Sequence, residues 1–517
     1  MIKARLHLHL PAALAATLLA VLLAACGSPP PPSDTLRVAL EGNPTNLDPR
    51  YATDAYSTRI IPLVYEGLLA DGAHGEVLPA LAESYDLLND TTYRFVLRPH
   101  LRWQDGQPLT SADVAATLRF LADPANKCPS QENYARISDI ETPDGRTVVV
   151  RLSGPVSPFL LKMTRPIVPA RLQDPRALAE HPVGSGPYRL ASFERGRRVV
   201  LEADANYRGG PPPIRRVVFD IIANDTSRML RLKKGDIDLV LNAVPPYAVK
   251  FFTEMPGLRL LRQPGVNYSY LGFNLDDPRG IVSDARVRRA IAHAIDRAQI
   301  IKTLLFGMAR PATGLLAPGN WAYDGNVQTY EYDPALARRL LDEAGRRDPD
   351  GDGPLPRFTL SYKTSTNKLR MRIAEVMAEQ LARVGIRLER RSLEWGTFFE
   401  DIKSGNFQTY TLTWVGVSDP DHLYYAFHSS MRPPTGGNRG RYANAQVDRW
   451  LEEARRTFDT IERRRLYGLV QKQLAEDCAY VSLWWADDYV VLTDRLDGFV
   501  INPGGDFRSL AAARLRR

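Results

Sequence analysis

Val217-Val218-Phe219-Asp220-Ile221-Ile222, then Thr226-Ser227-Arg228-Met229-Leu230-Arg231-Leu232-Lys233, then Asp238-Leu239-Val240-Leu241-Asn242 is the stretch that decides the fold. A continuous apolar run, a short amphipathic segment and a second apolar run describe a strand, a helix and a strand. A helix linking two apolar strands is the unit of a parallel sheet, so the chain reads as α/β. Upstream, Thr35–Leu40 alternates polar and apolar and predicts the first strand, followed by a Gly, Pro and Asx-rich turn over Glu41–Pro49. Tyr56–Leu69 has helical spacing, and Thr92–Arg98 and Thr147–Leu152 read as strands. Asp105-Gly106 marks a hairpin, and Thr110 with Asp113 forms a capping-box variant that opens a helix running through Phe120.

Downstream of the deciding stretch, Tyr268–Asn274, Phe358–Tyr362 and Ile386–Leu393 are predicted strands. Asp333–Ala344, Leu369–Val384 and Gln446–Arg456 are predicted helices. Asp284–Ile301 is the most strongly periodic helix, with Val287, Ile291, Ala294, Ile295 and Ala298 on one face and Arg and Asp on the other. His293 on that helix reads as a structural histidine.

The 517 residues exceed what one core serves, which predicts two or three domains. The first residues are an address rather than part of the fold. Lys3 and Arg5 precede an apolar run from Leu10 to Ala25, too short for the ~20 residues of a transmembrane helix. Leu23-Ala24-Ala25-Cys26 resembles a bacterial lipobox, so residues 1–25 are read as a signal peptide and Cys26 as the lipidated first residue of the mature chain. Gly27, Ser28 and Pro29–Pro32 then form a stiff tether. The formal charge of +8 does not indicate nucleic acid, because the Arg residues interleave with acids, as in Glu452-Glu453-Ala454-Arg455-Arg456. Cys128 and Cys478 remain, either to pair across domains or to stay as thiols, and three Cys are too few for a zinc cluster.

Enzyme signatures are scarce. The chain has no Gly-rich phosphate loop, no nucleophile elbow and no His-Glu-x-x-His, and its eight His are scattered. Asp348-Pro349-Asp350-Gly351-Asp352-Gly353 begins like a calcium loop, but Thr359 stands where the bidentate Glu belongs, so it reads as an acidic turn. No cofactor and no metal are expected. The segment Trp395–His428 is the candidate ligand site. Its strand Gln408–Val415 breaks at Gly416 into the turn Val417-Ser418-Asp419-Pro420-Asp421, and strand ends opening into such turns are where α/β proteins hold ligands. Tyr51, Trp395 and Trp414 are among the aromatics that lie at turn-like positions and fit an apolar, hydrogen-bonding cleft.

Several segments in order resemble the bacterial extracellular solute-binding proteins, family 5, the dipeptide and oligopeptide class. They are Leu97–Val114, Gly184-Ser185-Gly186-Pro187-Tyr188, Phe273-Asn274, Asp284–Arg297 and Tyr442–Asp448. The resemblance implies a type II periplasmic-binding-protein-like α/β fold, with two hinged lobes and an extra subdomain in the first. The implied division is a tether over 26–34, lobe I over 35–75, the subdomain over 76–185, lobe I again over 186–265, lobe II over 266–479 and a return to lobe I over 480–517. It further implies a non-enzymatic, lipid-anchored monomer outside the cytoplasm that captures a peptide or other small solute and passes it to ABC permease and ATPase subunits. The residues implied for the ligand are Tyr51, Trp395, Trp414, Gly416, Val417 and Asp419. In peptide-binding members an Asp that fixes the ligand ammonium would fall at Val417, and an Arg that takes its carboxylate would fall at Thr364, beside Lys363. These departures put ordinary dipeptide recognition in question. Two other classes stay open: an envelope hydrolase, and a sensor or interaction lipoprotein with no transporter.

Overall fold

The computed structural model describes residues 34–72, 76–351 and 353–516. The leader, Cys26 and the tether up to residue 33 lie outside the described residues. Thr35–Leu40 is a strand residue for residue as expected. It is flanked by two parallel neighbours, Arg216–Ile221 in register Thr35↔Arg216 to Leu40↔Ile221, and Leu239–Leu241. Helix Asp225–Lys233, capped by the Asn224 side chain, connects those two neighbours. Leu36, Val38, Val217, Phe219 and Leu239 are fully buried in the first core, which is why these strands read as near-continuous apolar runs.

The sheet continues without interruption into the second half of the molecule. Two long strands, Leu258–Phe273 and Tyr480–Thr493, pair antiparallel from Leu258↔Thr493 to Gly272↔Tyr480. Thr409–Trp414 adds to the first of them, and Phe358–Ser365 and Ile386–Leu393 follow in parallel. The long pair bends at a register shift between Gln263 and Asn267. Pro264 has no N–H for the ladder there, and a Cβ on Gly265 would lie 2.2 Å from the Ala486 carbonyl oxygen, so only glycine permits this approach. Side-chain alternation gives the second half two cores. Tyr268, Tyr270, Tyr410, Leu412 and Trp414 face helices Ala445–Arg456 and Thr460–Glu476. Leu271, Phe273, Leu360 and Tyr362 face helices Ala285–Ala294 and Lys368–Ala382. A separate antiparallel sheet in the first lobe, ordered Ala82–Asn89, Thr92–Leu97, Thr147–Leu152 and Ile137–Glu141, packs on helix Ser111–Ala122. The Thr110 N–H donates to Asp113 there at 2.8 Å, as the capping-box variant requires.

Three expectations are corrected. The helix expected to reach Leu69 is Ala55–Val64, because Tyr65 turns to an extended conformation and Leu69 starts a strand. The expected single helix 284–301 is two, Ala285–Ala294 and Arg297–Thr303, since Asp296 accepts the Gln299 N–H and starts a new helix. The expected strand Tyr268–Asn274 is the second half of Leu258–Phe273. Cys128 and Cys478 are free thiols buried in different cores. His293 donates from Nδ1 to the Glu331 carbonyl at 2.7 Å, in a structural role.

Candidate functional site

Strand Thr409–Trp414 ends where Gly416 takes φ 68°, a left-handed conformation favouring glycine. Its freed N–H donates to Asn267 Oδ1 at 2.9 Å, tying the turn to the first long strand. Trp414, 7% exposed, is enclosed by rings on several sides. Tyr270 stacks on it at 6.3 Å, while His422 and Tyr425 meet it edge-on at 4.8 and 5.9 Å. The Arg439 guanidinium lies 4.2 Å from its ring centroid and 5.3 Å from that of Phe399. Trp395 opens helix Trp395–Ser404 and is 47% exposed. It stacks on Phe399 at 5.7 Å, and Arg370 stands 5.1 Å from its ring. The two indoles are therefore linked through Phe399 and Arg439 in a row of alternating rings and guanidinium groups.

The turn after Gly416 carries the charges. Lys162, beside the core of the four-stranded sheet, crosses to the second lobe. Its Nζ lies 3.3 Å from Asp419 Oδ2 and 3.8 Å from Asp421 Oδ2. Arg455 closes the cluster at 3.1 Å from Asp421 Oδ1. Beside it, the Ser157 N–H donates to the Arg455 carbonyl at 2.7 Å and its hydroxyl donates to the Ala454 carbonyl at 3.0 Å. Burial alone would lower the Lys162 ammonium, but Asp419 and Asp421 outweigh it and hold its pKa above the ordinary value. Burial pushes the Asp421 carboxyl up, against the pull of Arg455 and Lys162. Burial takes His422 down to about 4, against Asp419 and with Lys162 and Arg439, so it is neutral at pH 7.

Near the bend of the long strands, Asp488 links both halves of the molecule. Its Oδ1 accepts from Asn242 Nδ2 at 2.9 Å and Asn267 Nδ2 at 3.4 Å, while its buried Oδ2 has no donor. Burial raises its carboxyl to about 6. A separate cavity of about 170 Å³ lies inside the second lobe, lined by Tyr268, Arg297, Gln328, Glu331, Gln471 and Ser482 among others.

The six ligand residues drawn from the sequence do not all meet. Trp414, Gly416 and Asp419 lie along one turn, and Trp395 joins them through Phe399. Asp419 is already paired with Lys162. Val417, 1% exposed, packs into the core of the second lobe rather than lining the turn. Tyr51 donates its hydroxyl to the Asn126 carbonyl at 2.7 Å and meets Phe120 edge-on, so it serves packing in the first lobe. Thr364 is buried and Lys363 is held by Asp401 at 2.6 Å. Lys162, Arg439 and Asp488 escaped the sequence reading. No spacing marks them among 67 Lys and Arg and 59 Asp and Glu; contacts between distant segments define them.

A continuous sheet bent between two lobes, with an aromatic and charged turn where the lobes meet, is the geometry of a two-lobed solute receptor. Residues 76–433 match the bacterial extracellular solute-binding proteins, family 5, and the chain belongs to that family. It is 31% identical over 489 residues to Protein XP55 of Streptomyces lividans, covering 92% of this chain and 87% of that protein. It is 29% identical over 484 residues to the glutathione-binding protein GsiB of Escherichia coli (strain K12), covering 91% and 92%. The structure of the oligopeptide-binding protein AppA from Bacillus subtilis with a nonapeptide superposes at a TM-score of 0.83, with 27% identity, over 93% of this chain and 99% of that one. The fold is thus that of type II periplasmic binding proteins, and the chain is an extracytoplasmic solute-binding protein of the ABC importer class, not an enzyme.

Proposed function

We propose that this chain is the lipid-anchored receptor of an ABC importer, which closes its two lobes on a peptide or peptide-like solute and delivers it to a permease. The observation that carries this reading is the contact between lobes through Lys162 with Asp419 and Asp421, and through Ser157 with Arg455, beside the exposed Trp395 and the Trp414 stack. Closure bends the paired long strands at Gly265, where the ladder is already broken. Aromatic walls and the backbone freed at Gly416 supply the grip, without covalent chemistry. The ligands of relatives, glutathione for GsiB and a nonapeptide for AppA, support a peptide-like solute. The lobe boundaries follow the family division: 35–75, 186–265 and 480–517 in lobe I, 76–185 in the subdomain, 266–479 in lobe II. Cys26 carries the lipid, and the permease and ATPase subunits are the partners.

Native mass spectrometry of the full chain purified from an exporting host tests this. The expected result is a non-covalent small-molecule mass that leaves on denaturation, with a Cys26→Ser variant released from the membrane fraction. A bare chain that also fails to shift its melting temperature with a tripeptide pool would refute the reading.

A further inference from the structure

The charges around Trp414 are almost all spent inside the protein. Asp419 and Asp421 are taken by Lys162 and Arg455, and Val417 brings no charge. No carboxylate is left at this turn for a ligand ammonium. One cation is left. Arg439, on the segment after the turn, lies between the faces of Trp414 and Phe399, and its Nη1 donates to the Tyr270 hydroxyl at 3.4 Å. Among the described residues no carboxylate lies within ion-pair distance of it, and no other side-chain acceptor takes its remaining N–H groups. The side chain is partly exposed, so those donors stay within reach of solvent.

A guanidinium held between two rings is fixed in orientation, which lowers the entropy lost when it forms paired hydrogen bonds to an anion. Its stacking and the Tyr270 hydroxyl hold it without neutralising it. An anion reaching Arg439 therefore meets an uncompensated, pre-oriented fork, while an ammonium beside it meets repulsion and no partner.

We propose that the cleft selects its solute by a carboxylate bound to Arg439 and does not read a free α-ammonium. The ligand class is a peptide-like acid, with its amino end blocked or free. This rests on the solute-receptor reading above. It also moves carboxylate recognition from the segment around Thr364 to the one around Arg439.

The test compares three tripeptide pools by calorimetry and thermal shift on the full chain: free acids, N-acetylated acids and C-terminal amides. Free and N-acetylated acids should bind alike, and amides about tenfold or more weaker, the scale of a lost charge-assisted hydrogen bond. Arg439→Gln should erase the preference for acid over amide, and Arg439→Lys should keep part of it. The pool comparison on the wild type stands even if a variant misfolds. Equal binding of acids and amides by the wild type, a loss of binding on N-acetylation, or a preference that survives Arg439→Gln would each overturn the proposal while leaving the receptor reading intact. Binding of none of the pools would overturn both.

Discussion

Replacing Lys162 by Met should loosen the closed arrangement rather than simply destabilise a lobe. The ammonium lies 3.3 and 3.8 Å from two carboxylates on the opposite lobe, and the three side chains are 18%, 17% and 8% exposed. Removing one partner of a fully buried pair costs about 3–5 kcal/mol, mostly because the other charge is left alone. These groups are partly solvated and Asp421 keeps Arg455, so about 2 kcal/mol is the reasonable scale. On the proposed hinge closure the contact forms only when the lobes meet, so this energy is felt by the open–closed equilibrium. At about 1.4 kcal/mol per factor of ten, the closed-to-open ratio falls roughly 30-fold. If the free wild type rests mostly closed, small-angle scattering should show a larger radius of gyration for Lys162→Met; if it rests mostly open, the radius should stay the same and affinity for the tripeptide pool should fall by a similar factor. Adding Asp419→Asn should recover part of the loss by removing the stranded charge. An unchanged radius together with affinity within twofold of wild type would refute the reasoning.

Trp414→Ala removes a buried indole touched by Tyr270, His422, Tyr425 and Arg439, and should weaken solute binding by about 1–3 kcal/mol in calorimetry. Trp395→Ala, at a half-exposed ring stacked on Phe399, should cost under about 1 kcal/mol by the same titration. Burial lifts the Asp488 carboxyl from an ordinary 3.8 to about 6. The folded chain keeps that proton where the unfolded chain has lost it, so this group's contribution to stability falls as pH rises from about 4 to 6, by up to about 1.4 kcal/mol per pH unit. Asp488→Asn should flatten the melting temperature across that window, and an unaltered pH profile would count against the assignment. Cys128 and Cys478, buried with their thiol pKa values raised by burial, should resist a disulfide-exchange reagent until the chain is unfolded.

Fold class was legible wherever one face of an element decides its residues. Thr35–Leu40 and Ile386–Leu393 have the expected bounds because their patterns run unbroken between turn residues. Leu258–Phe273 was half legible, since Arg259, Arg262, Gln263, Pro264 and Gly265 look like a polar turn when read locally. Their pairing with Tyr480–Thr493 outweighs that preference. Ile295 and Asp296 break the 284–301 helix because Asp296 finds a better use as a cap than as a mid-helix residue. The site divides in the same way. Trp414 and Gly416 could be placed from the strand and its end, whereas the partner of Asp419 is 257 residues away in sequence and no local pattern points to it. That distant lysine turns Asp419 from a free carboxylate into half of a lobe-to-lobe contact.

Hydrogen–deuterium exchange of the full chain with and without the free-acid tripeptide pool tests the central claim most directly. The account predicts slowed exchange in 157–165, 408–421 and 436–441, the segments that bring Lys162, the Trp414 turn and Arg439 together, and at the bend around 263–267. Protection confined to the inner cavity segment 311–332, or absent from both lobes at the turn, would contradict it.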